Sequence, residues 1–306
     1  MYKYRFSIFT ATYNRCNLLY GRYKELLNQD FKDFEWVIVS DGSVDDTAKV
    51  IESFIKENKI PIQFINKENG GKHTAWKVAT DVFQGRYIIC ADDDYEILPS
   101  MLSVFNKYWS DLEKDSQYEE FWEIRARCSR ENSSLIGGVL PIPFFDSDYN
   151  EINYVYKNHC EMVGCRKVEV LRNEAAVPDN FIFQDKVSNY QEGLRWSQAA
   201  RKYKTRFVPD IVRIYLTTEN SLTNPSKNRS ARHVYNTLVS SYFALKEQRD
   251  LMYKYDKKKY FFNIAILIYN SFYVKEKIYC KLEKHIDKIV YIMLYLPILV
   301  AWKIRK

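Results

Sequence analysis

The chain lacks most of the residues that staple small secreted folds. Six cysteines occur in 306 residues, none in C-x-x-C spacing, so neither a disulfide framework nor a zinc site is expected. The thiols read as reduced, in a cytosolic protein. Glycine and proline are scarce, at nine and eight, and no repeat or low-complexity segment is present. No G-x-G-x-x-G and no Walker loop occurs, so those cofactor folds are not indicated. The opening "MYKYRFSIFTATYNR" has no secretory apolar core and leads directly into a strand.

A general excess of positive charge is missing too. The net charge of +7 is concentrated at one end. Residues 251–306 hold twelve Lys and Arg against four Asp and Glu, while the other 250 residues hold 34 against 35. A nucleic-acid binder carries its basic residues along a binding face, so nucleic acid is not an expected partner.

What is present is a globular composition, 46% hydrophobic and 28% charged, long enough for one large or two small domains. Over the first 100 residues strands alternate with helices. "FSIFTAT" (6–12), "EWVIVSD" (35–41), "PIQFIN" (61–66) and "RYIICAD" (86–92) read as strands. "NLLYGRYKELLNQ" (17–29), "DDTAKVIESFIKENK" (45–59) and "GKHTAWKVATDVFQ" (71–84) read as helices. This alternation predicts an α/β fold with a mostly parallel sheet, whose ligands bind at the carboxyl ends of the strands. Further on, "LIGGVLPIPFF", "EINYVYKNH" and "TRFVPDIVRIYL" read as strands and "QEGLRWSQAARKYK" as a helix. The chain turns helical from residue 228.

Polar clusters mark the strand ends. In "SDGSVDDT", Asp41 closes a buried strand, Gly42 permits a tight turn, and Ser43 or Asp45 can cap the next helix. The Asp41 carboxylate can also accept an N–H from a nucleotide base. "ENGGKHTAW" places Lys72 and His73 in the first turn of a helix, where an anion such as a diphosphate is favoured; the lone His73 reads as packing. In "ADDDYEILP", strand alternation puts Asp92 and Asp94 on one side and Asp93 on the other. Paired carboxylates there form a hard oxygen site suited to Mg²⁺ or Mn²⁺, or else a solvated acidic turn.

"FTATYNR", "FEWVIVSDGSVDDT", "ENGGKHTAW" and "ADDDYEILP", in this order, resemble the nucleotide-binding half of a family 2 glycosyltransferase of the GT-A fold. The resemblance is strong over residues 4–105 and weaker over 120–225. It implies a Rossmann-like, mostly parallel central sheet flanked by helices in residues 1–227, with a nucleotide-binding half (1–105) and an acceptor half (106–227). A helical extension follows over 228–306. It implies that Thr12 begins the base-holding loop, that Asp41 reads uracil and that Lys72 contacts the nucleotide. Asp92 and Asp94 become the outer residues of a DxD motif, with Asp94 the more direct ligand of Mn²⁺ or Mg²⁺. Tyr95 stands where many members have a further acid. "NYQEGLRWSQAARKY" resembles the catalytic-base segment, which makes Glu192 the candidate base. Glu192 can equally offset a helix dipole, and Asp185 is the fallback. Glu161 is a candidate for sugar or acceptor contact. The implied reaction is inverting transfer from a UDP-sugar to a glycan or lipid-linked acceptor. A sugar-phosphate nucleotidyltransferase and an inactive membrane-docked binding module are the alternatives. The former usually has a glycine-rich loop where this chain has "TATYNRCNLL".

The tail stretch "IVYIMLYLPILVAW" (289–302) is shorter than the ~20 residues that cross a bilayer, and Pro297 is expected to interrupt it. Its basic flanks suit the anionic inner face of a cell membrane. Packing against "FFNIAILIYNSF" (261–272) is the competing reading.

Overall fold

The computed structural model describes residues 2–92, 95–136, 143–156, 161–187, 190–215, 231–274 and 277–304. It divides into two compact units, Met1–Val177 with Ala199–Asn224, and Pro178–Gln198 with Pro225–Lys306.

The first unit is a nine-stranded mixed sheet. Strands β1 (Tyr4–Thr12), β2 (Phe34–Asp41), β3 (Ile62–Lys67) and β4 (Gly85–Cys90) lie in the order β3-β2-β1-β4, all parallel. The intervening helices α1 (Cys16–Leu27), α2 (Thr47–Glu57) and α3 (Lys72–Val82) supply the crossovers that parallel pairing requires. Alternation along β1 sends Phe6 and Ile8 into a core with Leu19, Tyr23, Trp36 and Phe54. Phe9 faces the other way onto Trp76, ring centroids 4.5 Å apart. The sheet is therefore covered on both faces, which is why β2 is buried along its whole length.

The parallel character expected for the sheet holds in this half and changes beyond it. After β5 (Tyr95–Ile97) and α4 (Met101–Leu112) comes β6 (Phe121–Arg130), then β7 (Phe145–Ser147), α5 (Tyr149–Tyr154), β8 (Met162–Lys167), α6 (Val168–Asn173), α7 (Glu192–Ala199) and β9 (Lys204–Tyr215). β8 joins antiparallel to both β4 and β6, and β6 pairs parallel with β9. One expected strand begins as a helix: "EINY" lies in α5 and Val155 caps its end. Asp148 sets it, its Oδ1 accepting from the N–H groups of Asn150 (2.7 Å) and Glu151 (2.8 Å), so capping overrides β-branched propensity. The expected strand "LIGGVLPIPFF" falls largely on 137–142, outside the described residues.

The second unit contains α8 (Ala231–Tyr255), α9 (Lys257–Val274) and α10 (His285–Ile304). Tyr190 packs between Phe181 and Phe243, 5.1 Å from each ring centroid. Pro297 does not interrupt α10 as expected; the helix runs through it. A proline leaves the carbonyl four residues earlier without its donor. Here that residue is Met293, which like Pro297 is exposed.

Candidate active site

Three strand ends meet at one edge of the first unit. β1 is central, with Thr12 paired to Ser40 on β2 and Phe9 to Cys90 on β4. This register brings Thr12, Asp41 and the turn after Cys90 to the same edge. Thr10 links them from below: its Oγ1 donates to the Ala91 carbonyl (2.6 Å) and accepts from Trp36 Nε1 (3.0 Å).

The first two loops are stitched together. Asn14 N–H donates to Ser43 Oγ (3.0 Å), and Val44 N–H to Asn14 Oδ1 (2.8 Å). Asp45 Oδ2 accepts from Cys16 N–H (3.1 Å), while its Oδ1 accepts from the N–H and hydroxyl of Thr47 (3.1 and 2.6 Å). Desolvation works against the Asp45 carboxylate, but these donors together outweigh it and hold its pKa down at about 2. Asp45 thus serves the start of α2 and also binds the two loops.

Asp41 is buried, and its carboxylate is fully engaged. Oδ1 pairs with Lys67 Nζ (2.6 Å) and accepts from Gly70 N–H (3.0 Å); Oδ2 accepts from Gly71 N–H (2.7 Å) and more distantly from Asn69 Nδ2 (3.4 Å). Burial alone would raise its pKa; Lys67 and the two glycine N–H groups outweigh that and hold it below the ordinary aspartate range. The Gly-Gly loop therefore closes around a carboxylate of its own chain. Two glycines are required by geometry. Gly71 has φ of +91°, and a Cβ on Gly42, at φ +79°, would lie 2.6 Å from Asn69 N.

Lys72 opens α3, and its Nζ lies 2.8 Å from Asp92 Oδ2. The structure therefore brings together two expected site residues of opposite charge, each about one third exposed. The other Asp92 oxygen accepts a weak 3.5 Å bond from Cys90 Sγ. Asp94, the expected direct metal ligand, lies outside the described residues, as does Asp93. Among the described residues no group of three His, Cys, Asp or Glu converges to hold a metal. Thr12 is buried, and its Oγ1 has no hydrogen-bond partner among the described residues.

The turn carrying Asp92 rests on residues that the sequence pattern did not reveal. Tyr95 Oη accepts from Asp92 N–H (2.8 Å) and donates to the Cys90 carbonyl (2.9 Å). Burial pushes its phenol pKa up, so it stays a donor. Arg22, buried on α1, donates to the carbonyls of Asp92 and Tyr95. Arg213 lies 4.0 Å over the Tyr95 ring and pairs with Glu161 at 2.6 Å. Glu161, a candidate for acceptor contact, is thus tied to the turn through Arg213 and Tyr95. Arg22 reads in sequence as one more polar helix residue, because its partners are about seventy residues away.

Glu192 is the first residue of α7, partly exposed, in the second unit. The side chain of Asp185 is outside the description. The five described cysteines are free thiols.

Residues 7–157 match the sequence model of glycosyl transferase family 2. The chain belongs to glycosyl transferase family 2. A Campylobacter jejuni relative, GalNAc(5)-diNAcBac-PP-undecaprenol beta-1,3-glucosyltransferase, is 34% identical over 104 residues, covering 32% of each protein. The chain matches 20% to 32% of the length of the first curated relatives. S. aureus TarS 1–349, solved with UDP-GlcNAc, superposes with a TM-score of 0.57 at 16% identity, over 94% of this chain and 78% of that one. The mannosyltransferase PcManGT of Pyrobaculum calidifontis, solved with GDP-Man and Mn²⁺, gives 0.57 at 14% identity, over 99% and 84%. At these identities the two structures establish the shared GT-A fold of this family member.

Proposed function

We propose that this chain transfers a sugar from a UDP-sugar to a hydroxyl of a glycan or lipid-linked acceptor, with inversion, in bacterial surface glycoconjugate synthesis. The observation that carries the reading is the convergence at one strand edge of Asp41, the Gly-Gly loop and the Lys72–Asp92 pair. Membership of the family supports it, as do the nucleotide-sugars bound in the two similar structures. The orphaned Thr12 Oγ1 adds support, since a buried hydroxyl without a partner costs about 1–3 kcal/mol and a bound nucleotide can satisfy it.

In this reading Asp41 accepts the imide N–H of uracil. All four of its acceptor positions are filled, so the long 3.4 Å contact from Asn69 is the one that yields. Lys72 turns from Asp92 to the diphosphate, where its charge offsets the charge that grows on the leaving group. Asp92 is then released. With Asp94 it would supply hard oxygens to Mn²⁺ or Mg²⁺. Such an ion, when bound, supplies further charge compensation at the diphosphate. Glu192 takes the proton from the acceptor hydroxyl as general base, and the acceptor oxygen attacks the anomeric carbon opposite the departing UDP.

The test is UDP release from a panel of UDP-sugars with Mn²⁺, repeated with EDTA. Release that is fast with Mn²⁺ and abolished by EDTA is expected. UDP that neither binds nor is released from any donor would overturn the uridine assignment, and undiminished release in EDTA would overturn the metal. On this reading the protein works peripherally on the cytoplasmic face of a membrane.

A further inference from the structure

Helix α10 has two apolar faces, and only one is covered. Asp287, Val290 and Tyr291 are buried. Asp287 Oδ1 accepts from Tyr260 Oη at 2.7 Å, and Tyr295 and Trp302 each lie 5.4 Å from the ring of Phe272 on α9. The opposite face presents Ile286, Ile289, Met293, Leu296, Val300 and Ile304, all exposed, from 48% for Ile286 to 80% for Ile304. Their spacing of three and four residues makes one continuous stripe along the helix. Between Lys288 and Lys303 no residue is charged. Near the start of α9, Phe261 and Phe262 are also exposed, separated from Lys257, Lys258 and Lys259 by the buried Tyr260. A contiguous apolar stripe of this length marks an interaction surface.

We infer that this face lies in the plane of an anionic lipid bilayer, the stripe among the acyl chains and the flanking lysines at the headgroups. Charge decides between occupants. Residues 251–306 carry twelve basic against four acidic side chains, which attracts anionic lipid and repels a second copy presenting the same face. Geometry decides between lying on the membrane and crossing it. The helix has 20 residues and a composition that meets the requirement for a span. Crossing would strip Asp287 of Tyr260 and part Tyr295 and Trp302 from Phe272 on α9. Lying in the interface keeps that seam and covers only the bare face. The inference gives the peripheral placement a defined surface, and it does not depend on the transfer chemistry.

The full chain is tested by co-sedimentation with vesicles of phosphatidylglycerol and phosphatidylcholine, and with phosphatidylcholine alone. Binding is expected only with the anionic lipid, weakening as salt rises and reversed by an alkaline carbonate wash. The double variant Met293→Glu/Leu296→Glu should bind about tenfold or more weakly, since two charges enter the acyl region. Both positions are exposed, so its thermal melting in buffer should match the parent. Parent and variant binding equally, or no binding to anionic vesicles, would overturn the inference. So would bound protein that resists carbonate, which means a span, or a lipid-free dimer that the variant dissociates, which means a second copy. UDP release in lipid-free buffer reads the transfer chemistry separately: a variant that keeps it while losing vesicles isolates the surface from the active site.

Discussion

At the strand edge of the first unit, polar groups answer one another inside the chain. Asp41 holds Lys67 and the Gly-Gly loop, Asp92 holds Lys72, and Tyr95 holds the turn. On the outer face of α10, six large apolar side chains stand bare. The first region satisfies its charges before a ligand arrives, so a ligand must displace internal partners. The second has no internal substitute for its partner. Substitution at the strand edge should therefore disturb both stability and binding, whereas substitution on α10 should disturb association only.

The largest effect is expected at neither region but at the proposed base. Glu192→Gln keeps the shape of the side chain and removes its ability to accept a proton, so turnover should fall by about 10²–10⁴-fold. Donor affinity should stay near that of the parent, because the base serves the acceptor. Steady-state rates with calorimetric UDP binding on one preparation measure both. Near-parental turnover would leave Glu192 as a helix-dipole residue and make Asp185 the next candidate.

Lys72→Ala tests whether the Lys72–Asp92 pair is a stand-in for ligand. Losing a charged hydrogen bond to the diphosphate should weaken donor binding by about 10- to 100-fold. Binding of Mn²⁺ alone should instead tighten, because the carboxylate no longer has a competing cation. Opposite signs on one variant are the signature. Parallel losses of donor and metal would mean that Lys72 only props the loop.

The alternation of the first hundred residues was legible because each strand is a β-branched run and each helix is amphipathic and closely followed by the next strand. That local regularity gave α1, α2 and α3 to within a few residues and put Thr12, Asp41 and Asp92 at strand ends. It failed where a single side chain outweighs a run of propensities. Asp148 turns "EINY" into helix by filling two N–H groups, and α10 runs through Pro297. The roles of Arg22, Tyr95 and Arg213 were hidden for another reason. Arg22 and Arg213 meet the Asp92 turn across long sequence separations, and Tyr95 at a position where sequence suggested only a missing acid. The engagement of Asp41 by Lys67, Gly70 and Gly71 was likewise invisible, since only folding brings β2 and the loop after β3 together.

A smaller effect is expected from Tyr95→Phe. It removes the acceptor for Asp92 N–H and the donor to the Cys90 carbonyl, leaving two groups without their partner. A cost of about 1–3 kcal/mol is typical for such a loss, readable as a lower urea midpoint at unchanged slope. Metal-dependent donor binding should weaken with it, since the turn then holds Asp92 less firmly. An unchanged midpoint would mean that Arg22 alone braces the turn.

The smallest effect comes from acid. Asp41 and Asp45 both have folded pKa values below the ordinary 3.8, Asp45 at about 2. Groups depressed on folding bind fewer protons in the folded than in the unfolded state below the ordinary value, so stability falls as pH falls. Their contribution is complete above about pH 4 and is lost as pH drops toward 2. Asp45 is exposed, so solvent screening keeps its share small. Asp45→Asn isolates it: the variant should melt slightly below the parent near neutral pH. The gap should narrow from about pH 4 downward, as the parent carboxylate becomes protonated. A gap that stays constant across this range would mean that Asp45 acts through shape and neutral hydrogen bonds, and that its charge does not help hold the two loops together.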